Sequence, residues 1–562
     1  MKCKEYFTNL LAGYGVDEIF GVPGGVILDF LESAEDNLNP CLVFHEQSAV
    51  FSAIGYSRAK NSLGVVFATR GPGITNTLTS VADAYYDSVP VLILTGHSGD
   101  LPPEGIRTLL DQEIDTVNLF HSVTKRSIRV DTPEQFVAVA EPLIKLALEG
   151  RPGPVLFDVK SSIWNQETPS FILNDEDAHK TSKYLDAGLS EIGRELSLSE
   201  RPILFLGDGF RGKEESIKRI LTFANSYDIP ILSSRFSQDL FSQSDNYFGF
   251  IGSHGLRSGN FILSKADLVV SIGNRMHYPV DSKSWIPLME KLKVLRFDID
   301  EGEFKRSIPN SKNFVADLDQ LCNRLSEIKF SKGFLDWNSV CNNLSNELQK
   351  YDASEPIPLI AEVFNLCSNF AGIVSDVGNH EFWVARAYFQ SHSSVKLIFS
   401  KSFGAMGSAI GKSIGFAHAS GKQVLCFAGD QGLMMNIQEL HYIAHHQLPI
   451  KIFLMNNMSS GMIRSRQKDS DRKIYLTTVE SGYSVPDFMK IANSFGIASY
   501  SFDGHNTKIS DLELILIKPG AVLIELITSP EFEGRPHLPM GSSPTNLSPD
   551  IPRDVQDYLE GL

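Results

Sequence analysis

The stretch AGDQGLMMNIQELHYIAHHQLPIKIFLMNN spans residues 428–457 and divides into four parts. It completes an apolar run that starts at Val424, and it breaks at the glycine-flanked turn 429–432. A helical pattern of apolar residues follows, and then a second apolar run at 450–455 ends at two asparagines. The order strand, loop, helix, strand predicts a parallel βαβ unit. Both loops would then lie at the carboxyl ends of strands, where α/β sheets bind ligands.

Each of the two loops carries a side chain with an oxygen ligand. Asp430 lies in the first loop, and Asn457 lies in the second, 27 positions later. Mg²⁺ takes oxygen ligands and is held by few protein groups together with phosphate oxygens, so the pair predicts a magnesium site that also holds a diphosphate. The alternative is that Asp430 caps a helix and the asparagines form a turn. A second Gly-Asp-Gly, at 207–209, has Arg235 at the matching position and is therefore predicted to be an ordinary turn.

The segment with Asp430 and Asn457 resembles the thiamin diphosphate (ThDP) motif of the acetolactate synthase-like enzymes. The resemblance implies that Mg²⁺ is bound by Asp430, Asn457 and the backbone carbonyl of Ser459. It also implies that Met406 is the bulky residue that bends the cofactor into a V shape. Taken alone, Met406 is compatible with core packing and His380 with an interior histidine. The implied ThDP-binding residues are Glu46, Val377, Gly378, Asn379, His380, Gly404, Met406, Gly429, Asp430, Gln431, Gly432, Asn457, Gly461 and Met462.

Glu46 follows a predicted short strand and opens a helix rich in small residues, within HEQSAVFSAIGYSRA from residue 45. A glutamate there is compatible with a favourable charge at a helix N-terminus. With ATRGPGITNTLTSVADAYYDSVPVLILTG from residue 68, however, the stretch resembles the pyrimidine-binding domain of the same family. In that family the matching glutamate contacts N1′ of the cofactor's aminopyrimidine. The resemblance therefore implies Glu46 as a catalytic residue and Gln112 as an active-site glutamine.

Several positions depart from the acetolactate synthase pattern. Asp111 stands where the family usually has phenylalanine, Pro279 where it has the arginine used for the second 2-keto acid, and Arg466 where it commonly has tryptophan. Arginine suits carboxylate and phosphate groups, so we expect Arg466 to accept an anionic group of the acceptor substrate. A solvated helix face is the alternative for this arginine. The residues implied at the substrate are Gly25, Asp111, Lys125 and Arg466.

Alternating strand and helix patterns predict an α/β protein of three doubly wound domains with mostly parallel sheets, as in ThDP enzymes of the acetolactate synthase type. Polar, aperiodic residues at 166–184 and about 331–358 are predicted to be linkers. The domains are assigned as pyrimidine-binding 1–165, central 185–330 and diphosphate-binding 355–535, with a C-terminal tail at 536–562.

In acetolactate synthases the central domain holds a structural FAD. The glycine-rich and acidic strand ends of this chain are compatible with an adenine dinucleotide, and they are equally compatible with a domain that binds no nucleotide. The residues expected around FAD are His254, Gly273, Asn274, Arg275, Asp298 and Asp317.

Composition narrows the class of protein. The chain has 562 residues and a net charge of −16, which argues against a non-specific nucleic-acid binder. Its six cysteines are scattered without a CxxC, which argues against a zinc site and a disulfide framework and fits a reducing cytosol. We therefore expect a cytoplasmic protein. No apolar run approaches the length of about 18 residues that a membrane span needs.

The resemblance implies a ThDP- and Mg²⁺-dependent carboligase that acts on small molecules. It would decarboxylate a 2-keto acid, most naturally pyruvate, and add the acyl unit to a second carbonyl compound such as a keto-sugar nucleotide or another charged or larger ketone. The alternatives are simple 2-keto acid decarboxylation, true acetolactate synthesis for branched-chain amino acids, a non-catalytic ThDP-binding subunit and an oxidase that uses FAD. In the family, the domains with Glu46 and Asp430 meet across a subunit interface, so we expect a homodimer or homotetramer.

Overall fold

Three parallel sheets organise the chain. The computed structural model describes residues 1–101, 103, 105–107, 110–169, 184–277, 283–352 and 354–561. These residues form three sheets of six strands each, and every strand pair within them is parallel. The three-domain α/β prediction is therefore confirmed. Pro279 lies outside the described residues, as does most of the first predicted linker, at 170–183.

The first sheet has the strand order β2-β1-β3-β4-β6-β5. Its strands are β1 Glu18–Val22, β2 Asn39–Leu42, β3 Gly64–Ala68, β4 Val91–His97, β5 Arg126–Val130 and β6 Val155–Lys160. The helices among them are α1 Cys3–Gly13, α2 Leu28–Asn37, α3 Glu46–Lys60, α4 Pro72–Asn76, α5 Leu78–Tyr86, α6 Thr116–Phe120 and α7 Pro133–Leu148.

The second sheet has the order β12-β11-β10-β7-β8-β9, which read from β9 is the 3-2-1-4-5-6 order of doubly wound dinucleotide-binding folds. Its strands are β7 Pro202–Leu206, β8 Ile231–Ser234, β9 Tyr247–Ile251, β10 Leu268–Ile272, β11 Lys293–Asp298 and β12 Ser311–Val315. Its helices are α8 Leu185–Leu198, α9 Glu214–Ser226, α10 Arg257–Lys265, α11 Ile286–Met289 and α12 Leu318–Asn323.

The prediction of a linker at about 331–358 is wrong, because a helix, α13 Leu335–Leu348, occupies its centre. Trp337, Cys341, Leu344 and Leu348 follow helical spacing and are all buried. The many asparagines and serines between them concealed this apolar stripe. The segment therefore packs against the central domain, where the Trp337 indole donates a hydrogen bond to the backbone of β7.

The third sheet, β14-β13-β15-β16-β18-β17, repeats the strand order of the first. Its strands are β13 Gly372–Ser375, β14 Lys396–Phe399, β15 Val424–Gly429, β16 Ile450–Asn456, β17 Ala498–Asp503 and β18 Val522–Ile527. Its helices are α14 Ile357–Leu366, α15 Asn379–Ser391, α16 Ser408–Ser420, α17 Asp430–Met435, α18 Glu439–His445, α19 Gly461–Asp469, α20 Phe488–Ser494 and α21 Ile509–Leu516, and the tail carries α22 Arg553–Gly561.

The tail returns to the central domain. The backbone N–H of Leu538 donates to Ser253, and the buried guanidinium of Arg257 donates to the carbonyl of Leu547 at 2.9 Å. The side chain of Asn260 donates to Pro544 in the same way. Side-chain donors of α10 therefore satisfy the carbonyl groups of this extended, proline-rich segment.

Two further properties bear on the class of protein. All six cysteines are buried and free of disulfides. Among the described helices, none has the combination of length and apolarity that crossing a membrane requires.

The first and third domains meet where α3 crosses α16. A Cβ atom added at Gly415 would lie 1.7 Å from the carbonyl oxygen of Ser52, and one at Gly55 would lie 1.9 Å from that of Lys412. Only glycine allows the two backbones this approach. Below the crossing, Lys412 and Asp83 form an ion pair of 2.8 Å in which both side chains are fully buried.

We expect Gly415→Ala to lower the free energy of unfolding by about 1 to 3 kcal/mol, because the new methyl group forces the two helices apart. Gly13→Ala in α1 is the matched control, since its added Cβ meets no atom within 4 Å. Thermal and denaturant unfolding of both variants measure the difference. Equal free energies of unfolding for the two variants would contradict the expectation that the α3–α16 crossing has no room for a methyl group.

Candidate active site

A cavity of about 100 Å³ lies at the carboxyl ends of β13, β15 and β16. The strand order changes direction between β13 and β15, so this is the switch point where an α/β sheet binds ligands. All of the lining residues come from positions 377–463. Among them are the predicted residues Val377, Gly378, Asn379, His380, Met406, Gly429, Asp430, Gln431, Gly432, Asn457, Ser459, Gly461 and Met462.

Asp430 is buried at the start of α17. Its Oδ1 accepts hydrogen bonds of 2.8 Å from the hydroxyl of Tyr483 and from the backbone N–H of Gln431. Its Oδ2 is buried without a hydrogen-bond donor. Burial raises the pKa of Asp430, and the hydroxyl of Tyr483 and nearby backbone N–H groups oppose this shift. A buried carboxylate oxygen with no partner is the group that a cation would satisfy.

His380 supplies a second buried atom without a partner, since its Nε2 has no hydrogen bond. Burial lowers the pKa of His380 to about 4, so its imidazole is neutral. Glycines leave room beside these groups: a Cβ at Gly429 would lie 3.2 Å from the imidazole, and one at Gly461 would lie 2.6 Å from the amide of Asn457. The residues therefore fit the diphosphate group of ThDP and a metal ion bound beside it.

Two residues that hold these loops were not identified from the sequence. Tyr483 lies 53 positions after Asp430 in an irregular segment, and no local pattern marks it. Asp376 accepts hydrogen bonds from the backbone N–H groups of Val377 and Gly407, at 2.9 and 2.8 Å. It thereby ties the loop of Val377 to the loop of Met406. Its position directly after β13 was the available signal.

Glu46 lies at the N-terminus of α3, outside the small cavity. Its side chain is buried next to Gly73. A Cβ atom added at Gly73 would lie 3.3 Å from Oε1 of Glu46. The amide of Asn76 donates to Oε2 at 2.9 Å. A single chain therefore does not bring Glu46 into the cavity that contains Asp430.

Gln112 is exposed and adopts a left-handed conformation with φ of 63°. It packs against Gly71, where an added Cβ would lie 2.7 Å from the Gln112 Cβ. The next residue, Glu113, is buried, pairs with Arg70 at 2.7 Å and accepts from the backbone N–H of Ser98 at 3.0 Å. This Arg70–Glu113 pair fixes the strained loop, and the sequence did not reveal it.

The predicted substrate residues have different surroundings. Gly25 and Asp111 are exposed in the first domain, and a Cβ added at Gly25 would meet open space. Arg466 is exposed on α19, four residues after Met462 and hence on the same helical face. The ammonium of Lys125 instead donates to the carbonyls of Leu146 and Glu149, so it stabilises the end of α7.

A larger cavity, of about 870 Å³, lies at the carboxyl ends of the central strands and reaches all three domains. Val377 and Met462 line both cavities. The predicted ThDP-binding residue Gly404 lines the larger one. So do all of the residues expected around FAD: His254, Gly273, Asn274, Arg275, Asp298 and Asp317.

Ion pairs at this cavity join the three domains. Asp208, predicted to lie in an ordinary turn, pairs with Arg58 of the first domain at 3.2 Å and with Lys401 of the third. Although burial opposes ionisation, these cations and Arg211 hold the pKa of Asp208 well below its usual range. Arg275 donates to the carbonyl of Tyr86 and to the hydroxyl of Ser402. The turn is therefore an interdomain junction.

Family models match all three domains. The model described as "Thiamine pyrophosphate enzyme, N-terminal TPP binding domain" matches residues 1–119. The central domain of the same enzymes matches 189–325, and their C-terminal TPP binding domain matches 376–526.

Similar proteins cover the chain almost completely. The acetolactate synthase large subunit of Lactococcus lactis subsp. lactis is 32% identical over 557 residues, which cover 96% of this chain and 94% of that protein. The large subunit of acetolactate synthase isozyme 1 of Escherichia coli is 28% identical over 557 residues, with 97% of each chain covered. The fold, the cavity at the switch point and these relatives agree, and the chain belongs to the acetolactate synthase-like family of ThDP-dependent enzymes.

Proposed function

We propose that this enzyme is a ThDP- and Mg²⁺-dependent carboligase that decarboxylates a 2-keto acid, pyruvate in the first instance, and joins the acyl unit to a second carbonyl compound. The observation that carries the proposal is the small cavity, in which Asp430 Oδ2 and His380 Nε2 are buried without partners. When bound, ThDP supplies an electron sink for loss of CO₂. The named relatives are acetolactate synthases, which supports carbon–carbon bond formation over simple decarboxylation.

In this proposal Asp430, Asn457 and the carbonyl of Ser459 would hold Mg²⁺, which would supply positive charge to balance the diphosphate of ThDP. Tyr483 orients Asp430 through its 2.8 Å hydrogen bond. The neutral imidazole of His380, whose Nε2 has no partner, would help to hold the diphosphate without adding charge. Met406 is the side chain that supports the bent cofactor.

Glu46 reaches the cofactor from a second copy of the chain in this proposal, because the small cavity is lined by the third domain alone. Large apolar side chains are exposed on both sides of such a contact. Leu42 and Phe44, just before Glu46, are 54% and 52% exposed, and Met434 and Met435, just after Asp430, are 44% and 48% exposed. Exposed apolar groups of this kind mark an interface, and we infer a homodimer, or a tetramer made of such dimers.

For the acceptor we propose a charged carbonyl compound bound by Arg466. Residues 461–473 contain three arginines and two lysines against two aspartates, in a chain whose net charge is −16. Arg464 is occupied by the carbonyl of Pro530 and the carboxylate of Glu531, whereas Arg466 is exposed one turn beyond Met462. A guanidinium at this place favours a carboxylate or phosphate, as in a keto-sugar nucleotide.

For the large cavity we propose FAD. Its 870 Å³ volume suits a dinucleotide, and the strand order of the central domain is that of dinucleotide-binding folds. The loops after β7 and β10 flank the switch point and carry Gly207, Gly273 and Asn274. A structural FAD is sufficient for this proposal, because carbon–carbon bond formation after decarboxylation involves no net redox change.

Product analysis tests the carboligase proposal. The purified enzyme with ThDP, Mg²⁺ and labelled pyruvate is offered a panel of carbonyl acceptors, and products are identified by mass. We expect labelled products that contain both the two-carbon unit and the acceptor, and Glu46→Gln should abolish them. A free aldehyde as sole product would support simple decarboxylation, and acetolactate as sole product would support two pyruvates as substrates. The first result would contradict carbon–carbon bond formation, and the second would contradict an acceptor larger than a simple 2-keto acid.

Asp430→Ala should weaken ThDP binding in the presence of Mg²⁺ by at least about 10- to 100-fold, the range seen when a supporting group of a metal site is removed. Titration calorimetry measures the affinity. Asp208→Asn, in the other Gly-Asp-Gly, should lower thermal stability through its lost ion pairs but keep the parent affinity. A parent-like affinity of Asp430→Ala would contradict the assigned metal site.

Arg466→Gln should raise the KM for an anionic acceptor by about 10- to 150-fold, which corresponds to the loss of one charged hydrogen bond. Release of CO₂ from pyruvate alone should stay at the parent rate, because decarboxylation precedes contact with the acceptor. Arg472→Gln is the matched control, since Arg472 is exposed beyond the end of α19. If both variants raised the KM for the acceptor equally, the assignment of Arg466 to the acceptor site would be wrong.

Glu113→Gln should reduce turnover by about 10- to 100-fold with ThDP affinity unchanged, because the loop that presents Gln112 loses its buried ion pair. Gln112→Ala should give a similar defect, and the double variant should be no worse than either single one. Glu347→Gln, which removes a surface pair with Lys350, is the control. If the losses of turnover added up in the double variant, Glu113 would not act through the position of Gln112.

A further inference from the structure

Three metal-ligating side chains converge at a second place, where the first and third domains meet. Glu18 begins β1, Cys41 lies in β2, and His418 lies near the end of α16. One ligand atom of each side chain lies within 4.8 Å of the others. None of these residues lines either cavity. The cluster is therefore separate from the active site.

Cys41 makes weak hydrogen bonds to the carbonyl of Asn39, at 3.5 Å, and to His418, and the three ligand atoms are also close enough together to share one cation. Glu18 Oε2 lies 2.9 Å from His418 Nδ1, yet it is buried and has no hydrogen-bond donor aligned with it. Cys41 Sγ lies 3.9 Å from the same nitrogen. In a tetrahedral zinc site, ligand atoms at ordinary bond lengths are about 3.3 to 3.6 Å apart. Shifts of a few tenths of an ångström would bring the two pairs that include Nδ1 to those separations, and Sγ and the carboxylate oxygen lie within 4.8 Å of each other.

The surroundings of His418 suit a ligand that binds through Nδ1. The hydroxyl of Tyr442 lies 3.0 Å from Nε2, on the far side of the ring. If Nδ1 binds a metal, Nε2 carries the proton and donates to the hydroxyl of Tyr442, and an outer hydrogen bond of this kind orients a metal-bound histidine. The three side chains are largely buried, with exposed fractions of 4% for Cys41, 11% for His418 and 17% for Glu18.

We propose that Glu18, Cys41 and His418 form a zinc-binding site that links the first domain to the third. A sulfur, a nitrogen and a carboxylate oxygen are the donor set of Zn²⁺, and a water completes the tetrahedron. The absence of a CxxC argued against zinc in the sequence, but these ligands come from three separate segments that only the fold brings together. The proposal does not depend on the proposed carboligase activity.

Binding requires that Cys41 lose its proton. Burial and the carboxylate of Glu18 raise the pKa of Cys41 to about 12, so the thiol is protonated when no cation is present. A divalent cation reverses this balance, because a metal-bound thiol is deprotonated. One proton therefore leaves Cys41 for each Zn²⁺ bound, and one carboxylate, one thiolate and one neutral imidazole hold the ion.

Cobalt substitution tests the site in the full-length enzyme. After chelator treatment, titration with Co²⁺ should develop a thiolate-to-cobalt charge-transfer band that saturates at one equivalent per chain and is displaced by Zn²⁺. The oxygen ligands of the Asp430 site cannot produce this band. Cys41→Ser should abolish it, and Cys341→Ser, at another buried free cysteine, should retain it. Absence of the band from the parent enzyme, or its persistence in Cys41→Ser, would overturn the proposal.

Stability provides a second measurement that also checks folding. Zn²⁺ should raise the unfolding temperature of the parent enzyme, because it binds only the folded arrangement. Glu18→Gln and His418→Gln should unfold cooperatively without zinc but bind it at least about tenfold more weakly. If Zn²⁺ raised the unfolding temperature of the parent and of both variants by the same amount, the ion would bind elsewhere. That result would contradict the proposed zinc site.

Discussion

The crossing of α3 and α16 is the contact on which the arrangement of the chain depends. Its two backbones touch through Gly55 and Gly415, and the fully buried pair Lys412–Asp83 lies beneath them. Removing one partner from such a pair costs about 3 to 5 kcal/mol, because a charge is left buried and unpaired. The crossing also fixes distances that matter for chemistry, since α3 begins at Glu46 and α16 begins two residues after Met406. A loosened crossing would therefore shift Glu46 and the loop of Met406 relative to each other.

The first and third domains share a strand order and thus a common place for function. In both sheets the order changes direction between the first and third strands, and the loops that follow those strands form a crevice. In the third domain this crevice holds the cavity with Asp430. In the first domain the corresponding loops contain Gly25 and residues 69–73, with Glu46 on the next connection. In the proposed arrangement each crevice contributes part of the ThDP site, and two chains together complete it.

How far the sequence predicts this protein depends on the range of the interactions involved. Periodicity and turn residues predicted the three α/β domains and the loop of Asp430, because those signals are local. Tyr483 and the Arg70–Glu113 pair were missed, because each acts between segments that only the tertiary structure brings together. Asp208 shows the same limit: its loop is a turn, but its importance comes from cations on two other domains. The helix α13 was hidden by a polar composition that conceals a narrow apolar stripe.

The two cavities explain why binding of the cofactor and choice of substrate can change separately. Around Asp430 the contacts come from glycines, backbone groups and short side chains, where an added Cβ would collide with His380 or Asn457. That part tolerates little change. Met462 borders both cavities, and Arg466 lies one turn further along α19 with its side chain exposed. Because α19 projects these side chains without altering the turn that precedes it, a residue on this face can be exchanged while Asp430 and Asn457 keep their geometry. The departures from the family pattern at positions 111 and 466 fall on such exposed side chains, which is where a change of acceptor requires the least change in the rest of the protein.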